Sequence, residues 1–184
     1  MHWPAGSAIF RTPEDMLTGE IKSDKIEKLK FPKEWKMEIL IQYKDFFDLC
    51  QHDVYTLLYF FGEKRVRLRE IYGIEYNKIW CQDALDFAFR VIKIGFMGID
   101  YPDDGPTPEE LKDIFEQMSQ SSPNDADGGA IWSTYQLYLT EQGQHFLDAW
   151  QRSGDGNLYD QKLIDIFNAN DVGFDKHAFY PVKF

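Results

Sequence analysis

The sequence predicts a mainly α domain with a minor antiparallel β element, and three features of its pattern carry that reading. Apolar residues recur at helical spacing over several stretches of the chain. Start signals precede some of those stretches, above all Thr107-Pro108-Glu109-Glu110, with a hydroxyl at the N-cap, proline at the first helical position and a carboxylate to close the box. Only two short runs, Phe96 to Ile99 and Ile131 to Leu139, read as strands, the second rich in aromatic and β-branched residues. A length of 184 residues suits one domain, and a hydrophobic share of 43% with 15 Phe, 10 Tyr and 5 Trp is enough to build a core.

Taken in order, residues 1–34 are broken by Pro4, Gly6, Pro13, Gly19 and Pro32 and carry a lysine ladder, so they read as an arm ahead of a single globular domain at 35–184. Trp35, Ile39, Tyr43, Phe46, Phe47 and Cys50 share one helical face. His52-Asp53 offers a cap for a short helix with Val54, Leu57, Leu58 and Phe61 inward, stopped at Gly62. Lys64 to Arg69 alternates Val66 and Leu68 with arginines, which fits strand as well as helix. From Lys78 to Ile94 almost every position is apolar, which predicts a central helix; its polar Asp86 and Arg90 read as an ordinary i, i+4 pair. Leu111, Ile114, Phe115 and Met118 form the next stripe. A polar break at 121–129 precedes the second strand. A helix begins at Thr140 with Phe146, Leu147 and Trp150 inward. The last helix follows Gly154-Asp155-Gly156-Asn157 and packs Tyr159, Leu163, Ile166 and Phe167.

The formal charge of −11 is lopsided. Residues 1–92 hold 14 Lys+Arg against 15 Asp+Glu, a net of −1, whereas residues 93–184 hold 6 against 16, a net of −10. Such a field repels nucleic acid and membrane surfaces and speeds the approach of basic proteins. No run approaches the roughly 18 apolar residues of a membrane span, and residues 1–10 lack the pattern of a secretion leader, so a cytoplasmic protein is expected. Cys50 and Cys81, each inside an apolar pattern, read as buried thiols.

Signatures of catalysis are scarce. His2, His52, His145 and His177 are scattered, and none has another His or Cys at i+3 or i+4, so no metal is expected. His145, flanked by Glu141 and Asp148, is the best acid/base candidate, with spacings that are also those of an ordinary helix surface. Asp125-Ala126-Asp127-Gly128-Gly129 falls short of a calcium loop, because the twelfth position is Gln136 where glutamate is needed. Phosphate-binding and nucleophile motifs are missing. The reading is therefore of a protein without catalytic residues, metal or cofactor.

What remains is a set of acids in turns, Asp100, Asp103, Asp104, Asp125, Asp127, Asp155, Asp171 and Asp175, with Tyr101, Trp132, Tyr135 and Tyr159 near them in sequence. Acids favour turns for local reasons. The functional expectation is that Asp100, Tyr101, Asp103, Asp104, Asp125, Asp127, Trp132, Tyr135, Asp155 and Tyr159 converge on an acidic, aromatic partner-binding surface, with acids steering and aromatics anchoring.

Two resemblances bear on function. The segment from Phe87 to Trp150, with Ile94-Gly95-Phe96-Met97-Gly98-Ile99, Tyr135-Gln136-Leu137-Tyr138-Leu139 and the run Leu139-Thr140-Glu141-Gln142-Gly143-Gln144-His145-Phe146-Leu147, resembles part of a winged-helix domain. It departs by placing a helix and an acidic polar loop between the strands. In size, acidity and lack of catalytic motifs the whole chain is similar to the immunity proteins of bacterial toxin/immunity systems, including contact-dependent inhibition. That resemblance implies a cytoplasmic inhibitor that occludes a basic toxin domain, commonly a nuclease, and no nucleic acid or membrane partner. The winged-helix resemblance implies the alternative, a nucleic-acid-binding regulator using Arg65, Arg67, Arg69 and the lysine-rich arm.

Overall fold

The computed structural model describes residues 33–62, 75–102 and 105–184, with side chains in the first helix from Ile39 onward. Residues 1–32 of the predicted arm, the Lys64 to Arg69 segment, Asp103 and Asp104 lie outside the described residues, and the arm's last two positions, 33 and 34, already belong to the first helix. Met37–Phe184 form one compact unit. The described elements are α1 (Lys33–Leu49), β1 (Tyr55–Thr56), a 3-10 turn (Leu57–Phe61), α2 (Lys78–Lys93), β2 (Met97–Asp100), α3 (Pro108–Gln120), α4 (Ala126–Thr134), β3 (Gln136–Leu139), α5 (Glu141–Ser153) and α6 (Gly156–Ala169). The fold is mainly α with a small antiparallel sheet in the order β1-β3-β2.

Helix α2 is the axis of the core. Asn77 caps its start by accepting the Trp80 amide, and Arg90 and Lys93 occupy the last turn, where the helix dipole favours cations. Leu85, Phe87, Ala88 and Val91 are buried along it. Phe87 is surrounded by rings: it stacks on Phe60 at 4.5 Å and meets Tyr43 and Phe46 edge-on at 4.6 and 5.2 Å. Tyr43, Phe46 and Phe47 come from α1, whose buried face follows the predicted spacing.

The sheet depends on one register. Ile99 pairs with Leu137 and Met97 with Leu139 across β2 and β3, while Tyr55 pairs with Leu137 from the other side. Period two then puts Met97, Ile99 and Leu137 on the buried face. On the other face Gly98 lies opposite Tyr138, whose ring occupies the space a side chain at 98 would need.

Two elements differ from the sequence reading. The predicted strand from Ile131 to Leu139 is helix α4 up to Thr134 and strand only from Gln136. Tertiary contacts override β propensity here: the Trp132 indole N–H donates to the Met118 and Ser121 carbonyls at 3.2 and 2.8 Å, and Gly128 presses on the Ser122 backbone. Ser133 and Thr134 hydroxyls donate to carbonyls one turn back, so neither resists the helix. Two helices, rather than a helix and a loop, thus separate β2 from β3. The predicted helix from Val54 is a two-residue strand followed by a 3-10 turn, because β3 draws Tyr55 and Thr56 into extended pairing. Its buried residues are Leu57, Phe60 and Phe61, and Gly62 stops it at φ 72°.

Candidate functional site

The predicted site residues fall into separate groups. Asp100 ends β2, paired in register with Gln136, and is exposed. Beside it Tyr101 is half-buried and its hydroxyl reaches Glu110 Oε1 at 3.4 Å. Tyr135, also half-buried, donates to Gln117 Oε1 at 3.1 Å. Glu110 and Gln117 both belong to α3, so this helix steadies the two tyrosines from one side. The charge of Glu110 raises the Tyr101 pKa, and the antiparallel pairing of Asp100 with Gln136 sets Tyr101 and Tyr135 at the same end of the sheet. Asp100, Tyr101 and Tyr135 therefore do converge.

Asp125 and Asp127 sit at the opposite end of α4 from Tyr135, about 14 Å away along a nine-residue helix. Both are exposed at a helix N-terminus, where the dipole favours them. Asp155 caps α6 by accepting the Leu158 amide at 3.2 Å, which is local turn chemistry. Tyr159 has its own surroundings: it meets Phe146 edge-on at 5.8 Å, and the Lys162 ammonium lies 4.1 Å from its ring centre. Trp132 requires a correction. It is fully buried and its N–H is bonded within the chain, so it is a core residue and offers no surface to a partner.

The catalytic candidate is a surface pair: His145 Nε2 lies 3.8 Å from Glu141, and both side chains are mostly exposed. Among the described residues no group of three His, Cys, Asp or Glu is arranged to hold a metal, and no helix is long and apolar enough to cross a membrane. A cavity of about 10 Å³ between Leu57, Ala88, Ile92, Ile114 and Leu137 has the space of about one water and an apolar lining. Burial pushes the Cys50 and Cys81 thiols up to about 12, which keeps both protonated at neutral pH.

The most organised polar structure lies elsewhere. Asp86 and Arg90 are each only 4% exposed, so they are no surface pair. Arg90 donates from Nε to Val172 O at 3.0 Å, and from its two terminal nitrogens to the Tyr43 hydroxyl at 3.0 Å and Lys176 O at 2.6 Å. Asp86 accepts from the Ala178 and Phe179 amides at 2.9 and 3.1 Å and from Gln82 Nε2 at 3.1 Å. Burial raises the Asp86 pKa, opposed by the Arg90 charge and these donors. A signal for this cluster exists in the sequence: Gln82, Asp86 and Arg90 recur at i, i+4 and i+8 and so share one stripe of a largely apolar helix.

Compared with known proteins, the chain matches no family model, no curated protein and no solved structure.

Proposed function

We propose that this chain is a non-enzymatic binding protein that neutralises a basic protein partner, in the manner of an immunity protein occluding a bacterial toxin nuclease. The supporting observation is the sheet end, where exposed Asp100 adjoins two tyrosines held by α3 within a half-chain of net charge −10. Rings fixed by hydrogen bonds lose little freedom on binding and make good anchors. Exposed Asp125 and Asp127 extend the negative field that draws a cation inward. The bulk of the surface then excludes the partner's own polyanionic substrate. A cytoplasmic location belongs to the same proposal.

The test starts from partners captured by the immobilised protein from lysate of its source cells. Association is then followed at two salt concentrations for the parent and for the variant Asp100→Lys, Asp125→Lys, Asp127→Lys. Slower association with a flatter salt dependence is expected, whereas Tyr101→Ala should act on dissociation. Equal association rates at low salt would refute the electrostatic mechanism, and a captured partner without toxic activity would remove the immunity role. The antiparallel β2–β3 pair followed by α5 favours one other reading, the winged-helix regulator. Salt-sensitive binding to random duplex tighter than about micromolar would support it instead.

A further inference from the structure

Helix α2 offers a polar stripe of Gln82, Asp86 and Arg90, about 12 Å long at the helical rise. An irregular segment, bent at Phe179 and Tyr180, runs along it in the opposite direction, and the stripe contacts its main chain. Gln82 donates to Tyr180 O at 3.3 Å and accepts from Val182 N at 3.0 Å, and Asp86 takes the amides of Ala178 and Phe179. On the α3 side the Lys183 amide donates to Ser119 O at 2.8 Å. Two side chains of the segment rest on aromatic platforms: Phe179 stacks on Phe89 at 4.5 Å and Tyr180 on Phe115 at 4.9 Å.

The chain beyond α6 divides sharply in how it is held. Val172, Gly173 and Phe174 are buried, and Phe174 packs among Tyr43 and Phe167. From Ala178 to Phe184 no residue is buried; each is half-buried or exposed. Ala178 takes φ 55°, a left-handed conformation that is unfavourable for a residue with a β-carbon. Beneath this half-exposed segment lies a carboxylate, and opening the segment would return it to water and relieve its desolvation. A segment in which no residue is fully buried, with a strained joint and a buried charge below it, opens at less cost than the core.

We propose that the groove between α2 and α3 is a binding site for a short peptide segment without regular secondary structure, read through its main chain by Gln82 and Asp86 and through two adjacent aromatic side chains by Phe89 and Phe115, and that residues 178–184 occupy it in cis as a displaceable strap. Main-chain recognition carries little sequence information, so the specificity of the groove rests on the aromatic pair. The partner class is an unstructured segment with neighbouring Phe or Tyr, which competes with the strap. This inference stands apart from the acidic surface above, because it draws on the opposite use of polar groups and needs no basic partner.

The experiment uses the full chain and a fluorescent peptide of the strap sequence, Ala-Phe-Tyr-Pro-Val-Lys-Phe. In the full-length variant Phe179→Ala, Tyr180→Ala the strap loses its anchors, and the peptide should bind about tenfold or more tighter than to the parent, whose groove is filled. A peptide carrying the same two substitutions should bind neither protein. Adding Asp86→Asn to the variant should weaken the peptide, because an amide offers one acceptor oxygen where the carboxylate offers two. Hydrogen exchange on the parent gives a second reading: the Phe179 and Val182 amides should exchange through local opening, about 100-fold or more faster than Leu85 or Val91. Loss of the near-ultraviolet spectrum in the anchor variant would overturn the proposal by showing the strap to be core. So would equal peptide binding to parent and variant, no binding to either, or exchange of the strap amides only with global unfolding.

Discussion

Asp86 and Asp100 are both aspartates on elements of the same core, yet their surroundings could hardly differ more. Asp86 is buried, accepts three hydrogen bonds and lies near Arg90, so its carboxylate is an organising centre for local main chain. Asp100 is exposed at the end of β2, paired only in backbone register, and its charge acts at a distance through solvent. The contrast teaches that net charge says nothing of stability until each charge is placed. A buried charge contributes through specific bonds and is costly to orphan, whereas an exposed one shapes the field and leaves the fold alone.

Substitution can break that contrast, and the largest effect belongs to the buried cluster. Arg90→Met should lower unfolding free energy by about 3 to 5 kcal/mol in denaturant titration, because it takes the neighbouring positive charge from buried Asp86 and the donor from the Tyr43 hydroxyl and two carbonyls. Arg90→Lys, which keeps the charge and loses the fork, should fall between. A loss under about 1 kcal/mol for Arg90→Met would show that the cluster organises nothing. Next, Leu85→Ala, on the same helix and 1% exposed, should cost about 2 to 5 kcal/mol by leaving a cavity; that gauges apolar burial against the polar cluster.

A smaller effect is expected at the start of α3. Thr107 and Glu110 form a reciprocal capping box, and Thr107→Ala should cost about 1 kcal/mol. The Thr107 backbone N–H and hydroxyl hold Glu110 below its ordinary 4.5. A depressed carboxylate gives stability that is whole above that ordinary value and fades as pH falls through the depressed one. The Thr107→Ala penalty should therefore shrink in denaturation series taken below about pH 4. Smallest of all, Asp100→Asn should change stability by less than about 0.5 kcal/mol while still slowing association with a basic partner. A stability loss above about 1 kcal/mol would move Asp100 into the structural class.

Where local chemistry decides, the fold was readable in the sequence. The Thr107 box, the inward face of α1, the apolar run of α2 and the Gly62 stop all stand as their patterns imply. Where distant partners decide, it was not. Trp132 looks like a strand aromatic until the Met118 and Ser121 carbonyls are seen to hold its indole, and Tyr55 looks helical until β3 pairs with it. The candidate site divides the same way. Asp100, Tyr101 and Tyr135 come together because β2 and β3 pair in one register, which no local pattern encodes. Glu110 and Gln117 carry no sequence signal as tyrosine partners. Asp86 and Arg90 have the spacing of a surface pair, and only the return of Val172 to Phe179 over α2 buries them.

One corner of the molecule has a further meaning for sequence drift. Where β3 turns into α5, the Thr140 hydroxyl donates to Gly95 O at 2.6 Å, and Gly143 is pressed on the Phe96 carbonyl so closely that any β-carbon would collide with it. Helix and turn thus touch backbone to backbone. Substitution at 141, where the side chain is exposed, can proceed freely, while position 143 admits glycine alone as long as the corner keeps this shape. Any chain descended from a common ancestor and still folded this way should retain that single glycine after most of its surface has been rewritten.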